Sequence, residues 1–336
     1  MNVASRLVDS TLEATVVGSF SRIGYETRRR LGRWSPPTAM PVTSVIVTGA
    51  TSGLGFEASV ELARLGASVT FVARDEGRAR KARESIGELS GRDDVSFVLA
   101  DMSDLESVRR AAAVYLQDHD TLDVLIHNAG ALSRRYAKAP AGTEQTVATH
   151  VLGPFLFTGL LLPALRRPRP GRDGPARVLT VSSGRMYSQR FDLDLLDAGP
   201  DSYDGVAAYA RAKRAQVVLN HGWASRVDPR EVVFHTMHPG WVDTPGVRSS
   251  LPGFFRITRP ILRSPQQGVD TLVWLSQAPE AVQTSGRFWL DRQPRSEYKL
   301  PWTRSADNAR DQARLWEWCA THTGWTGTQG EQAGGR

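Results

Sequence analysis

The chain has 336 residues, of which 40% are hydrophobic and 23% are charged, and it contains 30 glycines and 19 prolines. This composition is typical of a globular protein and excludes disorder or a fibrous structure for the chain as a whole. Cys319 is the single cysteine, which excludes an internal disulfide and a thiolate metal cluster. It predicts a protein of a reducing compartment without a metal site.

The net charge of +7 lies mostly near the two ends of the chain. Residues 1–34 contain six arginines against three acidic residues, and the central body is close to neutral. Nucleic-acid binding requires a basic patch or stripe, so we expect no nucleic-acid partner. The first 25 residues lack the pattern of a secretory signal, which predicts a cytoplasmic protein. The longest apolar stretch, Val151–Leu165, is shorter than the about 20 residues of a membrane span and predicts a buried helix.

Residues 1–40 form an N-terminal extension that ends at the prolines Pro36 and Pro37. Apolar residues recur in it near helical spacing, at Val3, Leu7, Val8, Leu12, Val16, Phe20 and Ile23, and three arginines follow at residues 28–30. This pattern is typical of a peripheral membrane helix and also of a helix that packs on the surface of the domain. A mitochondrial presequence is a third alternative, which the three acidic residues of the segment disfavour.

Residues 41–293 alternate short aliphatic runs with stretches of helical period, as βαβ units of a parallel sheet do. The predicted strands are Ser44–Thr48, Ser68–Ala73, Val95–Leu99, Leu122–His127, Arg177–Ser182, Val232–Met237 and Arg287–Leu290. The predicted helices are Gly53–Leu65, Glu76–Leu89, Asp104–Gln117, Thr143–Leu165, Ala207–Arg226 and Gln266–Gln277. We predict an α/β fold with a doubly wound (Rossmann) sheet of about seven parallel strands in a single domain. A C-terminal tail over residues 294–336 carries a short helix at Asp311–Cys319.

A glycine-rich turn follows the first predicted strand and opens a helix. Glycines let backbone N–H groups approach a pyrophosphate, and the N-terminus of the helix adds partial positive charge. The candidate cofactor-binding residues of this turn are Gly49, Thr51, Ser52, Gly53, Leu54 and Gly55. A plain glycine turn with no ligand is the alternative.

The second strand ends at Arg74, where NAD-binding proteins place a carboxylate that binds the ribose. A cation there matches a 2′-phosphate, which favours NADP over NAD. Asp75 is the alternative, since it offers the carboxylate that NAD requires. Further candidate cofactor contacts at the same edge of the sheet are Asp101, Met102, Asn128, Ala129 and Gly130. Asp101 as a helix cap and Asn128 as a turn residue are the alternatives there.

Tyr209 and Lys213 are four residues apart in a predicted helix, which places a phenol and an ammonium on one face. A phenol has a pKa of about 10 and exchanges protons poorly at neutral pH, and we expect the ammonium to lower that pKa. Ser183 ends the fifth strand, where its hydroxyl can polarise a substrate carbonyl, and Ser182 is the second choice.

With these motifs in order, the chain from about Thr43 to Leu290 resembles a classical short-chain dehydrogenase/reductase. The resemblance rests on the glycine turn, the sequence His-Asn-Ala-Gly at 127–130, the serine, Tyr-x-x-x-Lys, and Pro-Gly-Trp-Val-Asp-Thr at 239–244. It implies that the last motif contacts nicotinamide through Pro239, Gly240, Val242 and Thr244. It also implies that Tyr209 is the general acid/base and that Lys213 lowers its pKa and holds the ribose.

The resemblance also raises three expectations about the surroundings of the site. His150 stands where many members of the family have an asparagine, so we expect a proton relay with added pH sensitivity or, alternatively, a packed histidine with reduced turnover. A long insertion at Gln189–Asp204 predicts a loop over the site entrance. The helices Thr143–Leu165 and Ala207–Arg226 form the dimer face in much of the family, which predicts a homodimer.

The sequence therefore predicts an NADP(H)-linked oxidoreductase that interconverts an alcohol and a ketone or aldehyde, as a carbonyl reductase does. Five apolar residues after the nicotinamide motif predict an apolar lid and an apolar substrate: Phe254, Phe255, Ile257, Ile261 and Leu262. Two alternatives stay open. One is an NADP-binding scaffold whose catalysis has decayed at His150, and the other is a membrane-associated interaction protein that uses the basic N-terminus.

Overall fold

The structure is a computed structural model, which describes residues 3–168, 171, 174–300, 303 and 308–327. Its centre is one eight-stranded sheet in the order β3-β2-β1-β4-β5-β6-β7-β8. The strands are β1 (Ser44–Thr48), β2 (Ser68–Ala73), β3 (Val95–Leu99), β4 (Val124–His127), β5 (Ala176–Val181), β6 (Val232–Met237), β7 (Arg287–Leu290) and β8 (Gln293–Pro294). β1 to β7 pair in parallel and β8 is antiparallel to β7. The doubly wound α/β fold is therefore confirmed.

Helices cover both faces of the sheet, because its strands are apolar on both sides. Those of the N-terminal extension and the first half are α1 (Val3–Ala14), α2 (Val16–Phe20), α3 (Arg22–Gly32), α4 (Gly53–Arg64), α5 (Glu76–Ser90), α6 (Leu105–Asp118) and α7 (Gln145–Val147). The others are α8 (Gly153–Arg166), α9 (Gly205–Ala224), α10 (Pro245–Ser250), α11 (Pro252–Thr258), α12 (Pro265–Leu275) and α13 (Ala309–Thr323). α4, α5 and α12 pack on one face, and α6, α8, α9 and α13 pack on the other.

The helix predicted over Thr143–Leu165 is interrupted by a π-helical turn at Ala148–Leu152. Pro154 has no N–H group to donate to the carbonyl of His150, so a regular α-helix would leave that carbonyl without its partner. The side chain of Gln216 in α9 supplies the donor instead, at 2.9 Å. Among the described residues, Gln145–Arg166 is the helical run that is long and apolar enough to cross a membrane, and most of it is buried inside the domain.

The N-terminal extension folds into a layer of three short helices, α1 to α3, which we call the N-terminal layer. The layer buries several polar side chains and exposes several aliphatic ones, which its apolar spacing did not suggest. Ser5, Asp9 and Arg28 are buried against the domain, whereas five aliphatic residues of the layer face outward. The exposed aliphatic side chains are Leu7, Val8, Val16, Val17 and Ile23. The layer therefore packs on the domain through charged and polar groups as well as through the ring of Phe20.

The C-terminal tail also belongs to the packed structure. α13 is longer than predicted, and its Leu315 and Cys319 are fully buried. Trp316 of this helix packs on Phe155 of α8 and on Trp223 of α9, with ring centroids 5.0 and 4.7 Å apart. Part of the surface that was expected to form a dimer face is thus covered by the chain's own C-terminal helix.

Candidate active site

The loops after β1, β4, β5 and β6 meet at the carboxyl edge of the sheet, where the strand order reverses between β1 and β4. Ligands of doubly wound folds bind at this reversal point. Each of these loops carries one of the predicted motifs: the glycine turn, Asn128 to Gly130, Ser183, and Pro239 to Thr244. The fold therefore brings together residues that lie almost 200 positions apart in the chain.

Close packing explains the glycines of the turn. Gly49 adopts a φ of +70°, and a Cβ there would lie 2.7 Å from the Cα of Ala129. A Cβ on Gly55 would lie 2.3 Å from Nδ2 of Asn128. That same amide group donates hydrogen bonds to the carbonyls of Thr48 and Gly49 at 2.9 and 3.1 Å. Asn128 thus ties the glycine turn to β4 instead of pointing to a ligand through its amide.

The N-terminus of α4 has the features of a pyrophosphate site. Ser52 is its N-cap residue but makes no side-chain capping bond, so the first N–H groups of the helix keep their capacity to bind an anion. Gly53 adopts a φ of +61°, and a side chain there would meet only the Cβ of Thr244, 4.0 Å away. Open space in front of these donors, with Thr244 opposite, fits the diphosphate of a dinucleotide.

Arg74, at the end of β2, is free to reach a ligand. Its side chain is 60% exposed, and its nearest acidic group is Oδ2 of Asp101 at 3.8 Å. The rival carboxylate, Asp75, is used differently: it is the N-cap of α5 and accepts a hydrogen bond from the N–H of Arg78 at 2.8 Å. The cation at this position is therefore less engaged than the carboxylate.

The segment after β3 has mainly local contacts. Oδ1 of Asp101 accepts hydrogen bonds from the N–H and hydroxyl of Ser103 at 2.9 and 2.7 Å, while Asp104 caps α6. The side chain of Met102 is buried in the core, and its carbonyl packs against Gly153. What Met102 presents towards a ligand is therefore limited to its backbone N–H.

The catalytic candidates converge between β5 and α9. The side chain of Ser183 lies beside the phenol of Tyr209 and favours its ionised form. Lys213, one turn further along α9, donates from Nζ to the carbonyl of Val181 at 2.8 Å and lies 5.6 Å from the ring centre of Tyr209. Ser182 points the other way, since its hydroxyl donates to the carbonyl of Lys213 at 3.0 Å. Ser183 is thus the serine that faces the phenol.

Burial dominates the protonation of this cluster. Burial raises the pKa of Tyr209 above its usual value, although the hydrogen bond from Ser183 and the charge of Arg185 act in the opposite direction. Burial also lowers the pKa of Lys213 to about 7. The expected lowering of the Tyr209 pKa by the ammonium is therefore wrong for the protein without cofactor, because desolvation outweighs the neighbouring charges.

His150 lies in the π-helical turn and contacts this cluster. Its ring stands edge-on to Tyr209, with centroids 5.4 Å apart, and Gly130 leaves room for it, since a Cβ there would lie 2.3 Å from Nε2 of His150. Nδ1 donates to the carbonyl of Thr146 at 2.8 Å. Burial and the charge of Lys213 lower the pKa of His150 to about 3. The expected pH sensitivity near neutrality is therefore wrong, because the buried imidazole stays neutral there.

The Pro239–Thr244 segment is held by an arginine, Arg263, that was not predicted from the sequence. Gly240 has a φ of +81°, and a Cβ there would lie 2.3 Å from Nε of Arg263. Arg263 also pairs with Val242 through an isolated β-bridge. Thr244 caps α10, accepting from the N–H of Val247 at 3.3 Å. Arginines are usually exposed, so nothing in the local sequence marks Arg263 as buried. Gln216 was also not predicted, although the sequence contains a signal for it. Pro154 leaves the carbonyl of His150 without a backbone donor, so a side-chain donor is needed there.

The insertion Gln189–Asp204 packs beside the N-terminus of α9. Oδ1 of Asp197 accepts a hydrogen bond from the N–H of Glu144 at 2.8 Å, and the hydroxyl of Tyr203 donates to Oε1 of Glu144 at 3.1 Å. The residues of the predicted lid lie in α11 and in or directly after the short 3-10 turn that follows it. Within the lid Phe254 packs on Trp241 with ring centroids 5.1 Å apart, and Ile257 is 79% exposed.

Comparison with known proteins identifies the family that this chain resembles. The family model described as short chain dehydrogenase matches residues 43–252. Dehydrogenase/reductase SDR family member 12 of Bos taurus is 39% identical over 83% of this chain and 85% of that protein. Human retinol dehydrogenase 14 is 31% identical over 86% of this chain and 88% of that protein. A solved short chain dehydrogenase of Shigella flexneri, complexed with NADP, superposes with a TM-score of 0.61 at 21% identity, covering 77% of this chain and 100% of that one.

Proposed function

The chain belongs to the short-chain dehydrogenase/reductase family of oxidoreductases, and on that premise we propose that it is an NADP(H)-linked enzyme that interconverts an alcohol and a ketone or aldehyde. The observation that carries this proposal is the convergence of Ser183, Tyr209 and the buried Lys213, with Lys213 Nζ 5.6 Å from the ring centre of Tyr209. The uncapped N-terminus of α4 supports the proposal, because its free N–H groups can bind the diphosphate of a dinucleotide.

Each residue of the cluster has a separate role in the reaction. When bound, the nicotinamide supplies the hydride chemistry of the reaction. In the reducing direction the phenol of Tyr209 gives its proton to the substrate oxygen, and in the oxidising direction it accepts the proton of the alcohol. Ser183 donates a hydrogen bond that orients the same oxygen. Lys213, when protonated, stabilises the phenolate of Tyr209.

His150 has a positioning role in this scheme. A group with a pKa of about 3 is neutral at physiological pH and carries almost no proton from solvent. Its ring fills the space between Gly130 and Tyr209, and its carbonyl accepts from Gln216. We therefore assign His150 to holding the phenol and the loop after β4 in place.

The preference for NADP(H) rests on the end of β2. Arg74 is exposed there, with no tight ion pair, while Asp75 is engaged as a helix cap. A guanidinium suits a 2′-phosphate, and a carboxylate used as an N-cap is poorly placed for ribose hydroxyls. NAD(H) is the less favoured cofactor.

The substrate we propose is a small apolar molecule. Residues Phe254, Phe255, Ile261 and Leu262 line up after the nicotinamide motif as partly or fully buried apolar side chains, and Trp241 packs against the first of them. These apolar side chains favour an aliphatic, steroid-like or isoprenoid carbonyl compound over a charged substrate, because desolvating a charge against apolar side chains is costly.

The test is turnover with a panel of apolar aldehydes and ketones in the presence of NADPH. Tyr209→Phe should lower turnover at least a hundredfold, because general acid/base catalysis contributes about 10²–10⁴-fold, and should leave NADPH affinity nearly unchanged. Tyr115→Phe is the matched control, because Tyr115 lies in α6, away from the site, and its hydroxyl donates to the carbonyl of Thr121. Binding of NADPH without turnover of any carbonyl would support the scaffold alternative instead.

A second candidate role is contact with anionic lipid, which the outward face of the N-terminal layer favours. The layer has exposed aliphatic side chains, such as Val16 and Val17, and exposed arginines at positions 6, 22, 29 and 30. The acidic side chains Asp9, Glu13 and Glu26 are all paired with basic groups. An apolar surface with excess positive charge is complementary to an anionic bilayer.

Sedimentation with vesicles tests this second role. We expect binding to phosphatidylserine vesicles, weaker binding to phosphatidylcholine vesicles, and loss of both in a Val16→Asp, Val17→Asp variant. Val114→Asp is the matched control, because Val114 is similarly exposed but lies on α6. Equal sedimentation of the double variant and the control would rule out this surface.

A further inference from the structure

The side chain of Arg263 joins the N-terminal layer to the nicotinamide motif. Its Nε donates to the carbonyls of Phe20 and Ser21 at 3.0 and 3.2 Å. Nη2 donates to the carbonyl of Ser19 at 2.9 Å, and Nη1 donates to the carbonyl of Pro239 at 3.3 Å. One guanidinium therefore fixes the end of α2 and the start of the motif with respect to each other.

A buried ion cluster keeps this guanidinium in place. Asp291 is fully buried and accepts two hydrogen bonds from Arg263, at 2.6 and 3.0 Å. Arg28 of α3 donates to the same carboxylate at 2.8 Å and also pairs with Asp9 at 2.7 Å. Removing one partner of such a cluster leaves an uncompensated buried charge, so the groups hold one another. The N-terminal layer is thus anchored at the point where it touches the motif.

Phe20, the last residue of α2, makes the closest approach to the site. Its carbonyl accepts a hydrogen bond from the N–H of Trp241 at 2.7 Å, within the motif itself. Its ring lies edge-to-face on His238 with centroids 4.3 Å apart. On the other side, a Cβ on Gly184 would lie 2.9 Å from the ring of Phe20, and Gly184 directly follows Ser183. The ring therefore fills the space between the serine loop and the motif.

We propose that Phe20 is a positioning residue, which holds the Pro239–Thr244 segment against the Ser183 loop and so sets the position of the nicotinamide half of the cofactor. This inference rests on the proposed function, since it assumes that the motif contacts nicotinamide. The contacts of Phe20 reach the motif, the serine loop and Lys299, and none of those described reaches the residues around Arg74. The adenosine end of the cofactor should therefore be indifferent to it.

This difference between the two halves of the cofactor provides the test. The dissociation constants of NADPH and of 2′,5′-ADP, which has the adenosine half alone, are measured for the full chain by fluorescence and calorimetry. Phe20→Ala should weaken NADPH binding about tenfold and change 2′,5′-ADP binding less than twofold. Phe20→Leu, which keeps part of the apolar volume, should weaken NADPH binding about threefold. This variant provides the test if the alanine variant does not fold. Val17→Ala is the matched control, because Val17 is in the same helix and 51% exposed.

Three results would overturn the proposal. Unchanged NADPH affinity in the folded leucine and alanine variants would show that Phe20 does not position the motif. Equal weakening of both ligands together with a lower melting temperature would show a general structural role. Failure of the wild-type protein to bind either ligand would refute the proposed function and this inference with it, whereas the first two results leave the proposed function intact.

Discussion

Replacement of Lys213 by methionine should change how the stability of the cofactor-free protein depends on pH. Lys213 is buried, and burial lowers its pKa to about 7 from the ordinary value of 10.5. Between these two pKa values the unfolded chain holds a proton at this residue that the folded chain does not. The free energy of unfolding rises with pH wherever the unfolded state binds more protons than the folded state. Lys213 therefore makes the free energy of unfolding increase as the pH rises through this window.

The size of the effect follows from one proton, which corresponds to about 1.4 kcal/mol per pH unit. The free energy of unfolding of the wild type should therefore gain about 2 kcal/mol more than that of Lys213→Met between pH 7.5 and 9.0. The titratable groups that face Lys213 do not contribute to this difference in the free energy of unfolding. His127 and His150 have pKa values of about 3, and burial raises the pKa of Tyr209, so all three remain neutral in this window.

Urea unfolding at several pH values between 7.5 and 9.0 measures this difference directly. Methionine keeps a long, unbranched side chain, so packing changes little while the charge is lost. Lys81→Met is the matched control, because Lys81 is exposed on α5 and should leave the slope unchanged. Parallel curves for the wild type and Lys213→Met would refute the reasoning, since they would mean that Lys213 keeps its proton in the folded protein.

Three further predictions concern the cofactor, the N-terminal layer and the quaternary structure. Arg74→Ala should weaken NADPH binding about 10- to 100-fold, because a charged hydrogen bond contributes about 1.5–3 kcal/mol, and should leave NADH binding unchanged. Arg80→Ala, at an exposed position of α5, is the control, and an equal effect of this variant would indicate that only long-range charge contributes. Arg28→Met should lower the free energy of unfolding by about 3 kcal/mol in urea, because it leaves buried acidic partners, whereas Arg30→Met, at an exposed position of α3, should cost under about 0.5 kcal/mol. Light scattering after gel filtration should give a monomer of about 37 kDa, because α13 covers part of the α8 and α9 surface, and a dimer mass would contradict this reading of the C-terminal helix.

The sheet could be predicted almost residue by residue from the sequence. β1, β2, β3, β6 and β7 have the predicted bounds, and β4 and β5 differ at their ends by one or two residues. Continuous apolar runs bounded by turn residues are a local signal, which needs no knowledge of distant residues. β8 was missed because two residues, one of them a proline, carry no such pattern.

The N-terminal layer could not be predicted in the same way. Its apolar stripe left open whether Leu7 and Val8 face the domain or a membrane; both are exposed, and the face buried on the domain combines Phe20 with the charged Asp9 and Arg28. The reason is pairing across the chain: Arg263 donates to Phe20 over a separation of 243 residues. A charged residue is buried only where its partners are, and no local pattern shows partners at such a distance.

Within the candidate site, the residue types were predicted and their protonation was not. The spacing of Tyr209 and Lys213 correctly placed phenol and ammonium on one face of a helix. It gave the wrong sign for the pKa of Tyr209 and the wrong behaviour for His150, because both depend on how completely the folded chain excludes water. Burial is a property of the whole fold and not of a four-residue spacing.

Separate fluorescence titrations of the purified wild-type protein with NADPH and NADH test the central claim most directly, and they require no knowledge of the substrate. The nine tryptophans of the chain provide the intrinsic signal. Tight binding of NADPH with binding of NADH at least about tenfold weaker is the predicted result, since the exposed Arg74 favours the 2′-phosphate. Binding of neither dinucleotide would contradict the assignment as an NADP(H)-linked oxidoreductase.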